Sequence, residues 1–269
     1  MSTTDTPALE ERDARREGAL IEAAILDLDG VLTDTASVHQ RAWALAFDEL
    51  LEREGQLPFA PEDYVRHVDG KPRLDGVRAF LAARGIARRE GDPGDPPGHA
   101  TVWAIGSLKD ARFHELLAED GVRVFNDAIE SLDAWQRAGL RTALVTSSRN
   151  ARAVLDAAGL AGRFEARVDG VVGREKDLKG KPAPDYFLEA ARMLGVAPAR
   201  SMIVEDAISG VTAGARGAFG LTVGVARRGA DPDALFRAGA DVVVRKLTEI
   251  GARPRAAPRR GTKHVSPDR

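Results

Sequence analysis

The chain has 269 residues, of which 43% are hydrophobic and 30% charged, and this composition excludes a wholly disordered or fibrous protein. Its 39 basic and 41 acidic side chains give a net charge of −2, which argues against a nucleic-acid-binding protein held by bulk charge. The absence of cysteine excludes disulfides and thiolate metal sites, so a bound metal would use oxygen or imidazole ligands.

The first 18 residues are polar and charged, without the apolar stretch that is typical of a secretory leader. We expect residues 1–18 to form a flexible tail. No apolar run approaches the roughly 20 residues that a membrane span needs. Together with the absence of cysteine, these features predict a cytoplasmic protein without a membrane or nucleic-acid partner, and we expect a monomer.

Short apolar runs alternate with helical patterns along most of the chain. The runs that predict buried strands are residues 23–26, 142–145, 202–204, 221–225 and 240–244. The helical patterns between them cover residues 128–138, 151–158 and 186–194. This alternation predicts an α/β fold, with a Rossmann-like parallel sheet core and helices on both faces.

Residues 36–122 interrupt this alternation and contain no clear buried strand. Their helical patterns cover residues 38–53, 76–83 and 113–118. We therefore predict a small helical cap inserted after the first strand, and a core made of residues 19–35 and 123–250. Residues 251–269 are basic and punctuated by proline, and we expect them to form a flexible tail.

Acidic and hydroxyl side chains follow three of the predicted strands. They are Asp27 and Asp29, then Thr146, Ser147 and Ser148, then Glu205 and Asp206. Because the carboxyl ends of parallel strands meet at one edge of a sheet, we expect these groups to converge. Close carboxylates repel one another unless a cation neutralises them, which predicts a Mg²⁺ site. A single DxDG motif would equally suit a turn with solvated carboxylates, and the second acidic pair favours a site.

Lys181 stands in the segment Gly180-Lys181-Pro182-Ala183-Pro184-Asp185. The two prolines restrict the backbone and would aim the ammonium group. A positive charge beside carboxylates and hydroxyls suits the negative charge of a phosphoryl group. The local sequence also leaves open an ordinary surface lysine before a helix.

Four motifs of the chain, DLDGVLTDT, LVTSS, KGKPAPD and VEDAISG, resemble in their order the four motifs of the haloacid dehalogenase superfamily, most closely its β-phosphoglucomutase branch. The resemblance covers roughly residues 21–250. It implies that Asp27 is the nucleophile that forms an aspartyl phosphate and that Asp29 is the general acid and base. It also implies Mg²⁺ held by the Asp27 carboxylate, the Asp29 main-chain carbonyl and Asp206, with Glu205 nearby or acting through water.

The resemblance further implies which residues bind substrate. Thr146 and Lys181 would bind the transferring oxygens, while Ser148 and Asn150, with Ser147 in the same loop, would hold a second phosphate. The helical insertion is similar to the family's cap, which closes over the core and excludes water. The cap residues that it implies are Thr35 at the hinge, His39 as a partner of the acid/base and the substrate, Trp43 as a pocket wall, and Gly70, Lys71, Arg73 and Lys109.

Two positions of the cap depart from the family pattern. Asp69 stands where a lysine is expected before Gly70, and Lys71 follows the glycine instead; Asp110 stands where asparagine is common. Lys71 and Lys109 could also be solvated helix residues, and Trp43, four residues after His39, could equally be core packing.

The resemblance implies phosphoryl transfer to and from a sugar phosphate. We expect a β-phosphoglucomutase that interconverts β-D-glucose 1-phosphate and glucose 6-phosphate through an aspartyl phosphate and glucose 1,6-bisphosphate. His39, Arg73 and Lys109 favour this reaction, because reorienting a bisphosphate needs two phosphate sites. The alternatives are a Mg²⁺-dependent phosphatase, for example of trehalose 6-phosphate or a hexose phosphate, and a non-catalytic binding module.

Overall fold

A computed structural model of the protein describes residues 18–68, 71–227 and 230–257. Its central feature is a six-stranded sheet in the order β3-β2-β1-β4-β5-β6, with every neighbouring pair parallel. The strands are β1 (Ala23–Asp27), β2 (Arg141–Val145), β3 (Ala166–Val168), β4 (Ser201–Glu205), β5 (Leu221–Val225) and β6 (Val242–Val244). The parallel α/β sheet that the sequence predicts is confirmed.

Three neighbouring strands of the sheet are buried along their whole length. Every residue of β1, β4 and β5 is buried, as expected for parallel strands covered on both faces. The last strand is shorter than the predicted 240–244, because the N–H of Ala240 bonds to the carbonyl of Leu235 and closes the preceding helix instead. The edge strand β3 has three residues, too few for an apolar pattern to reveal it.

Helices connect the strands along the chain. They are α5 (Asn126–Arg137), α6 (Ala151–Ala157), α7 (Gly170–Glu175), α8 (Asp185–Leu194), α9 (Ile208–Arg216) and α10 (Pro232–Ala238), with 3₁₀ turns at Pro198–Arg200 and Leu247–Glu249. The apolar face of α8, through Phe187, Ala190 and Leu194, packs with Ile25 and Ile203 of the sheet in one hydrophobic cluster. In the part of the chain that the structure describes, no helix has the length and apolar character needed to cross a membrane.

The segment between β1 and α5 is helical. It contains α1 (Thr35–Arg53), α2 (Pro61–Asp63) continued by a π-helical turn (Tyr64–Val68), α3 (Arg73–Ala83) and α4 (Val102–Asp120). These helices bury their own aromatic cluster, in which the rings of Phe47 and Phe80 lie 4.1 Å apart. Helix α4 begins well before the predicted residues 113–118, because Thr101 caps it by accepting the N–H of Ala104 at 3.0 Å.

The described residues divide into two compact units. The first contains the sheet, and comprises the described residues up to Thr33, Val124–Arg152 and the described residues from Ala161 onwards. The second contains the inserted helices, and comprises Asp34–Arg123 and Ala153–Leu160. Each unit has a hydrophobic cluster of its own.

The predicted flexible tail at 251–269 is wrong for its first seven residues. Arg255 forms an antiparallel bridge with Leu20, and the buried Ala256 donates its N–H to the carbonyl of Ala19 at 2.9 Å. The indole N–H of Trp135 donates to the carbonyl of Gly251 at 3.1 Å. These bonds satisfy the backbone of a segment whose sequence has no apolar period. Residues 258–269, and most of the predicted tail at 1–18, lie outside the described residues.

Candidate active site

The loop after β1 presents two carboxylates at the carboxyl edge of the sheet. Asp27 is the last residue of β1 and is 5% exposed, whereas Asp29 lies in the loop and is partly exposed. The loop closes tightly, because the N–H groups of Leu32 and Thr33 both donate to the carbonyl of Leu28 at 3.0 Å. Its position is therefore set by its own backbone bonds.

Gly30 brings this loop against Asp206. Its φ of +84° lies in the left-handed region, and a Cβ there would stand 1.9 Å from Oδ2 of Asp206. Glycine thus meets two demands at one position, a positive φ and a close approach. The second acidic pair is held beside the first, as the strand order predicts.

Lys181 lies between two carboxylates of the first unit. Its Nζ donates to Oδ1 of Asp27 at 2.5 Å and to Oε1 of Glu205. The side chain is 10% exposed, and its ammonium lies 5.1 Å from the ring centroid of Phe187. The Lys181 side chain is therefore largely buried against these two carboxylates, and the alternative of a solvated surface lysine is excluded.

Burial and the neighbouring charges shift the pKa values of these groups. Burial raises the pKa of Asp27 well above its usual range; Lys181 opposes this, and Glu205 and Asp29 add to it. Burial and then the charge of Glu205 raise the pKa of Asp206 to about 8. Burial disfavours the charged form of Lys181, but Asp27 and Glu205 outweigh it and raise the pKa of the ammonium above its ordinary value.

A hydroxyl loop follows β2. Thr146, which is buried, donates from Oγ1 to Oδ2 of Asp29 at 3.2 Å and accepts the N–H of Ser148 at 3.0 Å. Ser148 Oγ in turn accepts the N–H of Asn150 at 3.1 Å, and Ser147 is exposed. Thr146 thus connects this loop to the loop after β1, and the structure brings the two predicted groups together.

The first unit offers oxygen ligands that suit Mg²⁺. Among the described residues, no group of three or more His, Asp and Glu side chains is arranged to hold a metal ion. The predicted Mg²⁺ site does not require a group of three such side chains. It combines the carboxylates of Asp27 and Asp206 with the main-chain carbonyl of Asp29, and Mg²⁺ usually keeps several waters as ligands. The charges of Glu205 and Asp29 add to the effect of burial in raising the pKa values of Asp27 and Asp206, and a cation among these carboxylates would offset that repulsion.

Glu205 has a different set of contacts. Its Oε1 accepts from Lys181, and its Oε2 accepts the N–H of Ala207 at 2.8 Å. A Cβ at Gly210 would stand 1.8 Å from Oε1, so this glycine makes room for the carboxylate. In this structure Glu205 orients Lys181, and its place at the metal stays a prediction.

The second unit contains a buried pair of basic side chains. Nζ of Lys109, which is 4% exposed, lies 2.8 Å from Nδ1 of His39. The His39 ring stacks on Phe113 at a centroid distance of 4.3 Å, and the ammonium lies 5.5 Å from the ring of Trp43. Burial lowers the pKa of His39 from 6.5 to about 3, with Lys109 adding to the shift and Asp110 opposing it.

The neutral ring that this pKa implies has a defined tautomer. An ammonium can only donate, so Nδ1 of His39 accepts from Lys109 and the ring proton is on Nε2. Lys109 is therefore not a solvated helix residue. Trp43 is buried and stacks on Phe47 at 5.3 Å, so core packing accounts for much of its surface.

The remaining predicted cap residues are only partly described. Thr35 is buried as the first residue of α1, Lys71 is exposed, and Gly70 lies outside the described residues. Nη1 of Arg73 pairs with Oδ1 of Asp110 at 2.8 Å. The sequence did not predict this ion pair or the stacking of Phe113 on His39. Phe113 lies four residues after Lys109, and on a helix this spacing would have placed the two side chains on the same face.

Known proteins resemble this chain over most of its length. Residues 21–217 match the family described as haloacid dehalogenase-like hydrolase. The chain is 48% identical over 239 residues to β-phosphoglucomutase of Mycobacterium bovis, which covers 86% of this chain and 91% of that protein. It is 30% identical over 192 residues to hexitol phosphatase A of Escherichia coli, covering 71% and 76%. A mutant of CbbY from Rhodobacter sphaeroides, crystallised with xylulose-(1,5)bisphosphate, has a TM-score of 0.66 at 25% identity, covering 86% and 96%.

Proposed function

The chain belongs to the haloacid dehalogenase superfamily, in its β-phosphoglucomutase-like branch, and we propose that this phosphoryl-transfer enzyme interconverts β-D-glucose 1-phosphate and glucose 6-phosphate. The observation that carries the proposal is that the second unit contains two cationic side chains, Lys109 beside His39 and Arg73 paired with Asp110. Transfer to water needs one phosphate site, which Thr146 and Lys181 supply. Two further cations, Lys109 and Arg73, suit a substrate with a second phosphate.

Asp27 and Asp29 have the surroundings that such a transfer needs. In the proposed reaction an oxygen of Asp27 forms a bond to phosphorus while the bond from phosphorus to the sugar oxygen breaks, leaving an aspartyl phosphate. Lys181 donates to Asp27 and so favours its ionised, nucleophilic form. Asp29, held by Thr146, protonates the leaving oxygen and later takes the proton of the attacking sugar hydroxyl.

Mg²⁺ fits the same group of residues. We assign it to the Asp27 carboxylate, the Asp29 main-chain carbonyl and Asp206, with Glu205 nearby or acting through water. When bound, the ion would neutralise the charge that develops on the phosphoryl oxygens.

We assign substrate binding to the residues that the family resemblance implies. They are Ser147, Ser148 and Asn150 of the first unit and Thr35, His39, Trp43, Gly70, Lys71, Arg73 and Lys109 of the second. Neutral His39 carries a hydrogen on Nε2 and can donate it to a sugar hydroxyl or a carboxylate. From the sequence, we expect the enzyme to act as a monomer in the cytoplasm.

A sugar-phosphate phosphatase is the second candidate. The similarity to hexitol phosphatase A favours it, since that relative's name describes hydrolysis. A non-catalytic binding module is disfavoured, because the predicted set is intact: Thr146 donates to Asp29, and Lys181 donates to Asp27.

Product analysis separates these candidates. Purified protein is incubated with β-D-glucose 1-phosphate, Mg²⁺ and a trace of glucose 1,6-bisphosphate, and glucose 6-phosphate and inorganic phosphate are both measured. We expect glucose 6-phosphate, with no product from Asp27→Asn, which should keep its fold. Inorganic phosphate without glucose 6-phosphate would leave the phosphatase, and a panel that includes trehalose 6-phosphate then identifies its substrate.

A further inference from the structure

Arg73, the arginine assigned above to a second phosphate, already has an anionic partner within the protein. It begins α3, and its Nη1 lies 2.8 Å from Oδ1 of Asp110 on α4. The two side chains are 28% and 33% exposed, so solvent and ions reach the pair. An incoming phosphate therefore meets a guanidinium with one edge paired to a carboxylate.

Gly106 shapes the path of the Arg73 side chain. A Cβ at Gly106 would stand 2.8 Å from Cδ2 of Leu74, 3.6 Å from Nε of Arg73 and 3.8 Å from its Cγ. Glycine inside a helix is destabilising by about 1 kcal/mol relative to alanine, so its presence here is explained by the side chains packed against it. Asp110 lies four residues later on the same face of α4. The Arg73 side chain thus runs past Gly106 on α4, and its guanidinium contacts Asp110.

The electrostatic effect of Asp110 extends to the basic pair beside it. It follows Lys109 directly, and its charge opposes the lowering of the His39 pKa by burial and by Lys109. Asparagine at this position would keep an oxygen that accepts from Arg73 but would remove the negative charge. The carboxylate therefore matters for its charge as well as for its hydrogen bond.

We propose that Asp110 is a built-in competitor for Arg73, which weakens the binding of the second phosphate group of a sugar bisphosphate. The proposal rests on the proposed function, which assigns that phosphate to Arg73. Two effects act in the same direction: the phosphate must displace or share the guanidinium, and it is repelled by the carboxylate. Weak binding is useful in a mutase. Between the two transfers glucose 1,6-bisphosphate must reorient, and for this Arg73 must release the second phosphate group.

Binding without turnover tests this directly. In an Asp27→Asn background with Mg²⁺, the dissociation constant of glucose 1,6-bisphosphate is measured by isothermal titration calorimetry. Adding Asp110→Asn should tighten binding about fivefold, the upper end of what a partly exposed ion pair contributes. The gain should become smaller when Arg73→Gln is also present, because only the relief of direct repulsion then remains. A purely structural role for Asp110 would instead weaken binding.

Glu115→Gln is the matched control. It removes the acidic partner of Arg112 in an exposed pair on the same helix, and it should leave the dissociation constant unchanged. The proposal is overturned by any of four results: unchanged or weaker binding in Asp110→Asn, an equal gain without Arg73, an equal gain in Glu115→Gln, or no measurable bisphosphate binding. Because no turnover is involved, a product analysis that favours hydrolysis would overturn the proposed reaction and leave this result standing.

Discussion

Lys181 is the residue on which the buried carboxylates of the first unit depend. Lys181→Met would leave Asp27 and Glu205 buried without their shared ammonium. Removing one partner of a buried ion pair typically destabilises by about 3–5 kcal/mol. We expect the free energy of unfolding, measured by urea denaturation, to fall by about 3 kcal/mol in line with that range, and turnover to be lost.

The control for this change is two residues away. Lys179 is exposed, so Lys179→Met removes a lysine from the same segment without touching the carboxylates. Equal losses in the two variants would mean that the segment, and not the buried ammonium, is responsible.

His39 should make stability depend on pH. Its pKa is about 3 in the folded protein and near 6.5 in the unfolded chain, so the unfolded state binds the extra proton between these values. The stabilising contribution of the neutral ring is complete above pH ~6.5 and is lost as the pH falls towards the folded pKa. The melting temperature of the wild type should therefore drop more between pH 7 and pH 5 than that of His39→Gln.

His114→Gln serves as the comparison for this measurement. It removes an exposed histidine of α4 and leaves the contact between Lys109 and His39 in place. The wild-type pH dependence should persist in it. A His39→Gln protein whose melting temperature falls as steeply as the wild type's would contradict the lowered pKa.

At the scale of elements, the loop after β1 depends on Gly30. Gly30→Ala would strain a residue with φ of +84° and push a Cβ to 1.9 Å from Oδ2 of Asp206. Gly139→Ala introduces the same strain, at φ of +89°, where no atom lies within 4 Å. We expect Gly139→Ala to lose about 1 kcal/mol of stability and to keep its activity. Gly30→Ala should lose more stability, and its kcat should fall at least tenfold because Asp206 must move; equal effects would show that the close approach is unimportant.

The elements show where sequence reasoning succeeds. Strands β1, β4 and β5 were predictable because a buried parallel strand is a short apolar run, and their carboxyl ends placed Asp27, Asp29 and Asp206 at one edge. Strand β3 was not predictable, since Ala166–Val168 is too short for a pattern and contains an arginine. The start of α4 was hidden because Gly106 and Lys109 interrupt its apolar face.

At the scale of the whole molecule, contacts between distant segments account for the rest. The bridge between Leu20 and Arg255 joins segments from the two ends of the chain, and nothing local in residues 251–257 signals it. The same holds for Arg73 and Asp110, which come together only through the packing of α3 on α4. Asp27, Thr146 and Asp206 were predictable because each lies at or directly after the end of a strand. The partners of these residues depend on tertiary packing.

The proposed function makes one claim about the whole enzyme, that the phosphoryl group on Asp27 passes to a sugar and not to water. The most direct measurement supplies glucose 1,6-bisphosphate labelled with ³²P, together with Mg²⁺ and an excess of unlabelled β-D-glucose 1-phosphate, and follows the label over many turnovers. We predict that the label stays in sugar phosphates and accumulates in glucose 6-phosphate. Recovery of the label as inorganic phosphate, at the rate at which the bisphosphate is consumed, would contradict the account.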